Sequence, residues 1–252
     1  STHCISSAAS DVYKRQYFKI AQFWNGRADD LAAQAAGPVM NPVEMGSHDW
    51  AGVAQKLAGN PEYAPMFQSA FGTDAAMCQN TITSAIAEFE KTLITPDSPF
   101  DDYLKGNSSA LSEQTKRGYE KFKSIGCSGC HSGIGVGGGA YEAMGLEGDY
   151  FKDRGGKLTA ADEGRYDVTH KDEDHFRFVV PTLRNIDQSA PYFHDGSVKT
   201  LDEAVRKMAK YQTPDAAISD QDVSDIVAFL KSLTGKYEGH SLADMGQPAP
   251  AR

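Results

Sequence analysis

Long apolar segments are missing from this sequence. No run among its 252 residues approaches the length of a membrane-spanning helix, which requires roughly 20 apolar residues. An excess of basic residues is missing too, because the formal net charge is −9. Nucleic-acid-binding proteins carry a basic stripe, so we expect neither a membrane span nor a nucleic-acid partner. The acidic balance favours a basic protein partner.

Cysteine is scarce, with four residues in the chain. Cys4 lies in residues 1–16, which have no amphipathic period and no long apolar centre of the signal-peptide type. The end of that segment (DVYKRQ) is similar to the translation of a sequencing-library adapter. We therefore expect residues 1–16 to be a non-native leader, the alternative being a genuine disordered leader. Cys78 stands alone and is predicted to be a small buried hydrophobe on a helix.

Apolar residues recur with helical spacing through the rest of the chain, and no run alternates convincingly as in a β-strand. The predicted helices include one with Ile82, Ile86, Phe89 and Leu93 on its face, one over about 112–124, one that starts at Asn60–Pro61 and uses Tyr63, Met66, Phe67 and Phe71, and one from an N-cap at Ser219 to a C-cap at Gly235. The pattern predicts an all-α fold.

Two of these helices follow similar sequences, Asp74-Ala75-Ala76 and Asp215-Ala216-Ala217. The match in the same register predicts two related domains. Residues 98–112 are polar and turn-rich, and we expect them to form the linker between the domains.

The segment Cys127-Ser128-Gly129-Cys130-His131 is a C-x-x-C-H motif, the attachment signature of a c-type haem. Two thiols at this spacing on one helical turn can form thioethers with the two vinyl groups of a haem, and the adjacent imidazole can bind the iron. The rival interpretations are a zinc site and a redox dithiol. Structural zinc requires further Cys or His ligands at suitable spacing, and a thioredoxin-like motif requires a βαβ setting. Neither is present, so the motif predicts a covalently bound haem.

A second axial ligand is expected for a low-spin c-type haem. The candidates beyond the first residues are His48, His170, His175, His194, His240 and the seven methionines. Met208 is attractive because it lies well downstream of His131, between a short predicted helix and a proline turn. A methionine ligand raises the reduction potential relative to a second histidine. Core packing remains the alternative role for a single methionine.

Seven segments together resemble the bacterial dihaem cytochrome c peroxidase family, which includes the MauG-type enzymes. They are FWNGRADDL (23–31), QAAGP (34–38), NPVEM (41–45), GCSGCHSG (126–133), PTLRN (181–185), APYFHDG (190–196) and VAFLKSLTG (227–235). The resemblance implies cytochrome-c-like helical domains: a partial N-terminal peroxidatic domain over 17–105, a complete C-terminal domain with covalent haem over 106–240, and a tail over 241–252.

The resemblance also implies roles for particular residues. Met208 would be the second ligand of the C-terminal, electron-accepting haem, and His194 would lie beside that haem without ligating it, with a purely structural role as the alternative. Glu44 matches the catalytic acid–base, which moves a proton between the two oxygens of the peroxide, and Gln34 matches its neighbour. Trp24 matches an aromatic residue between the two haems.

Two further implications concern ions and the second haem. The carbonyls of Ser189 and Pro191 match part of a calcium site, and calcium does take backbone oxygens. The peroxidatic haem of the family has its own C-x-x-C-H upstream of Phe23, and the sequence supplies none there. The resemblance therefore implies an N-terminally truncated peroxidase that carries one of two haems and has little activity alone.

Three functions remain open at this point. The first is a peroxidase fragment that reduces hydrogen peroxide with electrons from a small cytochrome c or cupredoxin; the second is a monohaem electron carrier. The third, a MauG-like oxidase, predicts Tyr in place of Met208, so the sequence counts against it. The resemblance further implies a periplasmic location and a homodimer.

Overall fold

The computed structural model describes residues 16–214 and 217–242. The expected leader, except Gln16, lies outside these residues, as do Asp215 and Ala216 of the second Asp-Ala-Ala segment and residues 243–252 of the tail. The α-helices are α1 (Leu31–Met40), α2 (Trp50–Ala58), α3 (Tyr63–Phe71), α4 (Gln79–Thr92), α5 (Pro99–Leu104), α6 (Glu113–Ser124), α7 (Cys127–Cys130), α8 (Tyr150–Arg154), α9 (Tyr166–Thr169), α10 (Leu201–Gln212) and α11 (Asp220–Lys231).

Short irregular elements join these helices. The 3-10 turns span Gln16–Phe18, Ser108–Ala110, Ala160–Glu163, Asp172–Asp174 and Ile186–Gln188, and the strands are β1 (Tyr141–Ala143), β2 (Arg177–Val179), β3 (Lys236–Tyr237) and β4 (His240–Ser241). β1 pairs antiparallel with β2, and β3 with β4. The fold is all-α, as predicted. The described residues contain no helix long and apolar enough to cross a membrane.

The chain divides into two compact units, one of residues 28–92 and one of residues up to 27 together with those from 93 onward. The larger unit is built on the crossing of α6 and α11. Gly118 permits this crossing, because a Cβ there would lie 1.8 Å from the carbonyl oxygen of Asp225. Phe122 on α6 and Ile226 and Phe229 on α11 belong to its buried core.

Side-chain caps begin both helices of that crossing. Ser112 accepts a hydrogen bond from the N–H of Thr115 at the start of α6. Ser219 and Asp222 form a capping box at the start of α11, which confirms the predicted N-cap.

The smaller unit is built on α1 and α4, which pack against each other. Asp30 caps α1 by accepting a hydrogen bond from the N–H of Ala33 at 2.8 Å. The buried residues of the two helices are mainly apolar, with three polar exceptions: Gln34, Thr83 and Glu90.

Several local predictions were wrong. Helix α3 begins at Tyr63 without a side-chain cap, and Met66 on its predicted inner face is 65 % exposed. Cys78 is exposed and precedes α4 instead of packing inside it. The C-cap of α11 is Ser232, whereas Gly235 lies against the carbonyl of Thr95, where a Cβ would come within 2.1 Å.

The predicted linker is also structured. Within residues 98–112, helix α5 starts at a capping box formed by Ser98 and Asp101, and Phe100 is buried in the core. Arg184 fixes this helix with hydrogen bonds of 3.0 and 2.8 Å to the Asp101 carboxylate. The segment is therefore part of the larger unit.

Candidate haem site

The C-x-x-C-H motif forms a single helical turn directly after α6. Gly126 starts this turn with φ of +95°, a conformation that L side chains rarely adopt. The turn closes when the N–H of His131 donates to the carbonyl of Cys127 at 3.0 Å. This geometry directs both cysteines and the histidine to one cavity.

The cavity has a volume of about 360 Å³, within the range of roughly 300–1,000 Å³ that is usual for cofactor pockets. Its lining is predominantly apolar and comes from the larger unit alone. Among the predicted site residues it contains Trp24, Cys127, Cys130, His131, Ser189, Pro191, His194 and Met208. The fold therefore brings predicted site residues from four separate segments of the chain to one place.

His131 is suited to bind a metal through a neutral imidazole. Burial lowers the pKa of His131 to about 4, and the carbonyls of Val136 and Pro181 oppose this shift. Its Nδ1 atom is buried and makes no hydrogen bond of normal geometry. The backbone approaches it closely at Gly137, where a Cβ would lie 2.2 Å from the Pro181 oxygen and 3.2 Å from Nδ1 of His131.

The two thiols differ from those of a redox dithiol. Burial raises the pKa of Cys127 to about 11, and burial and the charge of Glu142 raise the pKa of Cys130. Catalytic dithiols depend on a lowered pKa. Both cysteines are free thiols at the wall of an apolar cavity, an arrangement that fits thioether attachment of a haem c.

Two methionines line the cavity. Met208 lies in the interior of α10, whereas the sequence analysis placed it between a short helix and a proline turn. Met144, which the sequence analysis did not single out, follows β1 and reaches the same cavity. Either thioether could therefore face a haem bound in this cavity.

Aromatic side chains form one wall. The ring of His194 stacks on Phe178 at 4.5 Å between centroids, and Trp24 meets both rings edge to face at 6.4 Å. His194 is almost fully buried, and its Nε2 pairs with the Asp162 carboxylate at 2.7 Å. Arg154 also pairs with Asp162, at 2.6 Å, and holds the pKa of that carboxyl far below its usual range.

Ser189 and Pro191 lie at the cavity wall, next to the aromatic residues of the APYFHDG segment. The hydroxyl of Ser189 donates to the carbonyl of Ile186 at 3.1 Å. Pro191 has no side-chain oxygen, and the Ser189 hydroxyl is engaged with Ile186, so the expected calcium ligands at these two residues remain their main-chain oxygens.

Gln34 and Glu44 belong to the smaller unit. Gln34 is 4 % exposed on α1, and its Oε1 atom is buried without a hydrogen-bond partner. Glu44 is exposed on the loop after α1 and accepts a hydrogen bond from the Asn41 side chain at 2.9 Å. Gln34 is therefore buried with an amide oxygen that has no hydrogen-bond partner, whereas Glu44 is exposed.

Sequence reasoning missed several polar residues of the cavity. Glu142 on β1 and Gln212 at the end of α10 both line it. The pairing of β1 with β2 and the orientation of α10 bring them inward.

Comparison with known proteins gives a consistent result. The family model for di-haem cytochrome c peroxidase matches residues 4–109, and the model for cytochrome c matches residues 115–234. The cytochrome c peroxidase Ccp of Escherichia coli K12 is 48 % identical over 220 residues, covering 87 % of this chain and 46 % of the relative.

Other relatives extend the comparison. The cytochrome c551 peroxidase of Nitrosomonas europaea is 48 % identical over 218 residues, covering 86 % of this chain and 62 % of the relative. The MauG protein of Methylorubrum extorquens is 32 % identical over 224 residues, covering 83 % of this chain and 60 % of the relative. The chain therefore spans about half to three-fifths of the length of these relatives. Among solved structures, a MauG-like protein associated with microbial copper homeostasis is similar, with a TM-score of 0.73, 27 % identity, and coverage of 86 % of this chain and 73 % of that one.

Proposed function

Because the chain belongs to the di-haem cytochrome c peroxidase family, we propose that it is part of a peroxidase that reduces hydrogen peroxide to water. Each peroxide takes up two electrons and two protons and yields two water molecules. Electrons would enter through a haem held by Cys127, Cys130 and His131. The observation that carries the proposal is the meeting of the C-x-x-C-H turn and Met208 at one apolar cavity.

The residues of this cavity would hold and tune a single haem c. When bound, a c-type haem supplies one-electron redox chemistry at its iron. Cys127 and Cys130 would attach it through thioethers, and the His131 imidazole and the Met208 thioether would bind its iron. The apolar lining excludes water, and a methionine ligand favours a high potential, which suits a site that accepts electrons from a donor protein.

Three other residues would serve the reaction with peroxide. Glu44 would move the proton between the peroxide oxygens, and the buried amide of Gln34 would orient the peroxide by hydrogen bonding. Trp24 would carry electrons away from the C-terminal haem site, and its edge-to-face contacts with Phe178 and His194 support this role.

The domain bounds, the calcium site, the electron donor and the location that we propose rest on the family resemblance. Residues 17–105 would form part of a peroxidatic domain and residues 106–240 a cytochrome c domain. Calcium would bind at the carbonyls of Ser189 and Pro191. The donor would be a small cytochrome c or cupredoxin, and the protein would act in the periplasm as a homodimer.

A monohaem electron carrier is the second candidate, because the C-x-x-C-H cavity would by itself suffice for one-electron transfer. Genomic sequence upstream of Tyr17 separates the two. A second C-x-x-C-H there supports the peroxidase, whereas a continuous reading frame without one supports the carrier. Peroxide turnover by the protein encoded by the complete gene, measured with a reduced cytochrome as donor, then tests the activity directly.

A further inference from the structure

The helix that carries Met208 is fastened at its C-terminal end by the side chain of its last residue, Gln212. The Oε1 atom of Gln212 accepts hydrogen bonds from the backbone N–H groups of Gly145 and Leu146, both at 3.0 Å. Its Nε2 atom donates to the carbonyl oxygen of Ala143, also at 3.0 Å. One amide side chain therefore makes three hydrogen bonds to residues 143–146. We call this arrangement the Gln212 latch.

The preceding turn of α10 is tied to the same region. The carbonyl of Tyr211 accepts a hydrogen bond from the N–H of Glu147 at 2.9 Å. Tyr211, which is buried, donates its phenol O–H to Asp153 at 2.9 Å, and Lys210 donates to the same carboxylate at 2.8 Å. The last carbonyls of a helix lack partners within the helix, so such contacts stabilise the end of α10.

The loop that receives the latch has a constrained shape. Gly145 has φ of +102°, and a Cβ there would lie 2.5 Å from the carbonyl oxygen of Gly148. The N–H of Met144 donates to the carbonyl of Phe176 at 2.9 Å, which continues the pairing of the loop with the segment before β2. The loop therefore offers Gln212 a fixed set of donors and acceptors.

Gln212 connects the two elements that bring methionines to the cavity. Met208 lies four residues earlier on α10, and Met144 lies between the loop atoms that Gln212 binds. A shift of α10 against the loop would change which thioether is available to a haem. The latch opposes that shift.

We propose that Gln212 is a positioning residue that holds the Met208 thioether, and not that of Met144, as the ligand of the haem iron. This inference rests on the Met208 ligation in the proposed function. Gln212 acts through α10, because its own amide is engaged by the loop.

The test is an optical pH titration of the purified haem protein. Met208 ligation is followed by the weak far-red sulfur-to-iron absorption band. Gln212→Leu keeps the size of the side chain and removes all three hydrogen bonds. A typical hydrogen bond contributes only modestly to stability, and the variant loses three of them. We therefore expect the fraction of protein without methionine ligation to rise about tenfold. The pH at which the band disappears falls accordingly.

Two variants separate the latch from general stability. Gln114→Leu makes the same chemical change at a glutamine whose Nε2 bonds Ser224 at 3.1 Å, away from α10, and it leaves the midpoint of the band unchanged. Gln212→Glu keeps oxygens that can accept from Gly145 and Leu146, and it recovers part of the loss.

Each outcome bears on the proposal. An unchanged midpoint in Gln212→Leu, or an equal shift in Gln114→Leu, overturns the latch. If Gln212→Leu yields no folded protein, Gln212→Glu, which loses the hydrogen bond that Nε2 donates to the Ala143 carbonyl, replaces it and must shift the midpoint in the same direction; no shift there also overturns the latch. A wild-type protein without the band overturns Met208 ligation itself, which separates the two failures.

Discussion

Trp24 and His194 occupy the same position in two turns of one conformation, and their rings lie 6.4 Å apart, edge to face. The first and last residues of Phe23–Gly26 have φ of 64° and 68°, and those of Phe193–Gly196 have φ of 68° and 61°. In each turn the glycine N–H donates to the phenylalanine carbonyl, at 3.3 and 3.2 Å.

The similarity continues along the chain. Helix α1 follows the first turn and helix α10 follows the second, and both begin at a leucine, Leu31 and Leu201. This repeated backbone conformation favours the hypothesis of two related domains, which the Asp-Ala-Ala segments supported by sequence alone. The two copies differ where function would require it, because α10 carries Met208 and α1 has Pro38 at the same place in its register.

The first prediction concerns the identity of the axial methionine. Met208→Leu abolishes the far-red sulfur-to-iron band, because leucine fills the space without offering a ligand. Met144→Leu is the matched control, since Met144 lines the same cavity; it leaves the band in place. Absorption spectra of the two oxidised variants decide the matter, and the opposite pattern would assign the ligand to Met144.

A second prediction concerns the backbone beside His131. Gly137→Ala places a Cβ 2.2 Å from the Pro181 oxygen at a residue with φ of +128°. We expect it to reduce covalent haem incorporation and to lower the free energy of unfolding by roughly 3 kcal/mol. Gly139→Ala has no atom within 4 Å of the new Cβ and serves as the control. Haem content per chain and urea denaturation measure both; equal effects would contradict the steric argument.

The third prediction concerns acid stability. Asp162 is 1 % exposed, and its pairing with Arg154 lowers its pKa in the folded state. A lowered pKa stabilises the fold above the unfolded value of about 3.9, and the contribution is lost as the pH falls below it. Asp162→Asn leaves Arg154 and His194 without their main partner, so it costs roughly 3 kcal/mol at pH 7 and flattens the acid limb.

The control for that variant is Asp220→Asn. Asp220 pairs with Arg206 at the surface, with 93 % of its side chain exposed. Exposed ion pairs contribute about 0–1 kcal/mol, so urea denaturation at pH 7 and at about pH 2, below the unfolded pKa of about 3.9, should hardly distinguish this variant from wild type. A comparable loss in both variants would refute the role of burial.

The fourth prediction concerns the smaller unit. Burial raises the pKa of Glu90 to about 7, and its Oε2 atom has no hydrogen-bond partner. A carboxyl whose pKa is raised on folding makes the fold less stable as the pH rises from about 4.3 to 7. Glu90→Gln removes this decline, whereas Glu88→Gln, at a carboxylate with 70 % of its side chain exposed, keeps it. The measurement is the free energy of unfolding at pH 5 and pH 8.

The haem-attachment residues could be predicted from local spacing alone. The C-x-x-C-H turn needs only one helical turn to bring its three side chains together, so Cys127, Cys130 and His131 could be predicted without knowledge of the fold. Met208 required the resemblance, because it is distant in sequence and has Met144 as a competitor at the same cavity.

The failures have a common cause. A helical stripe predicts which face is apolar but not whether another element covers it, which is why Met66 is exposed. Gln212 and Glu142 are polar residues at the ends and edges of elements, where exposure is the usual outcome. Their place at the cavity depends on long-range packing that the pattern does not contain.

The central claim is that this chain holds one haem c through Cys127, Cys130 and His131. The most direct test is a pyridine-haemochrome assay on chain co-expressed with the haem-attachment machinery. The account predicts one covalent haem per chain in the wild type and none in the Cys127→Ser, Cys130→Ser double variant. Two haems per wild-type chain, or haem retained covalently by the double variant, would contradict it.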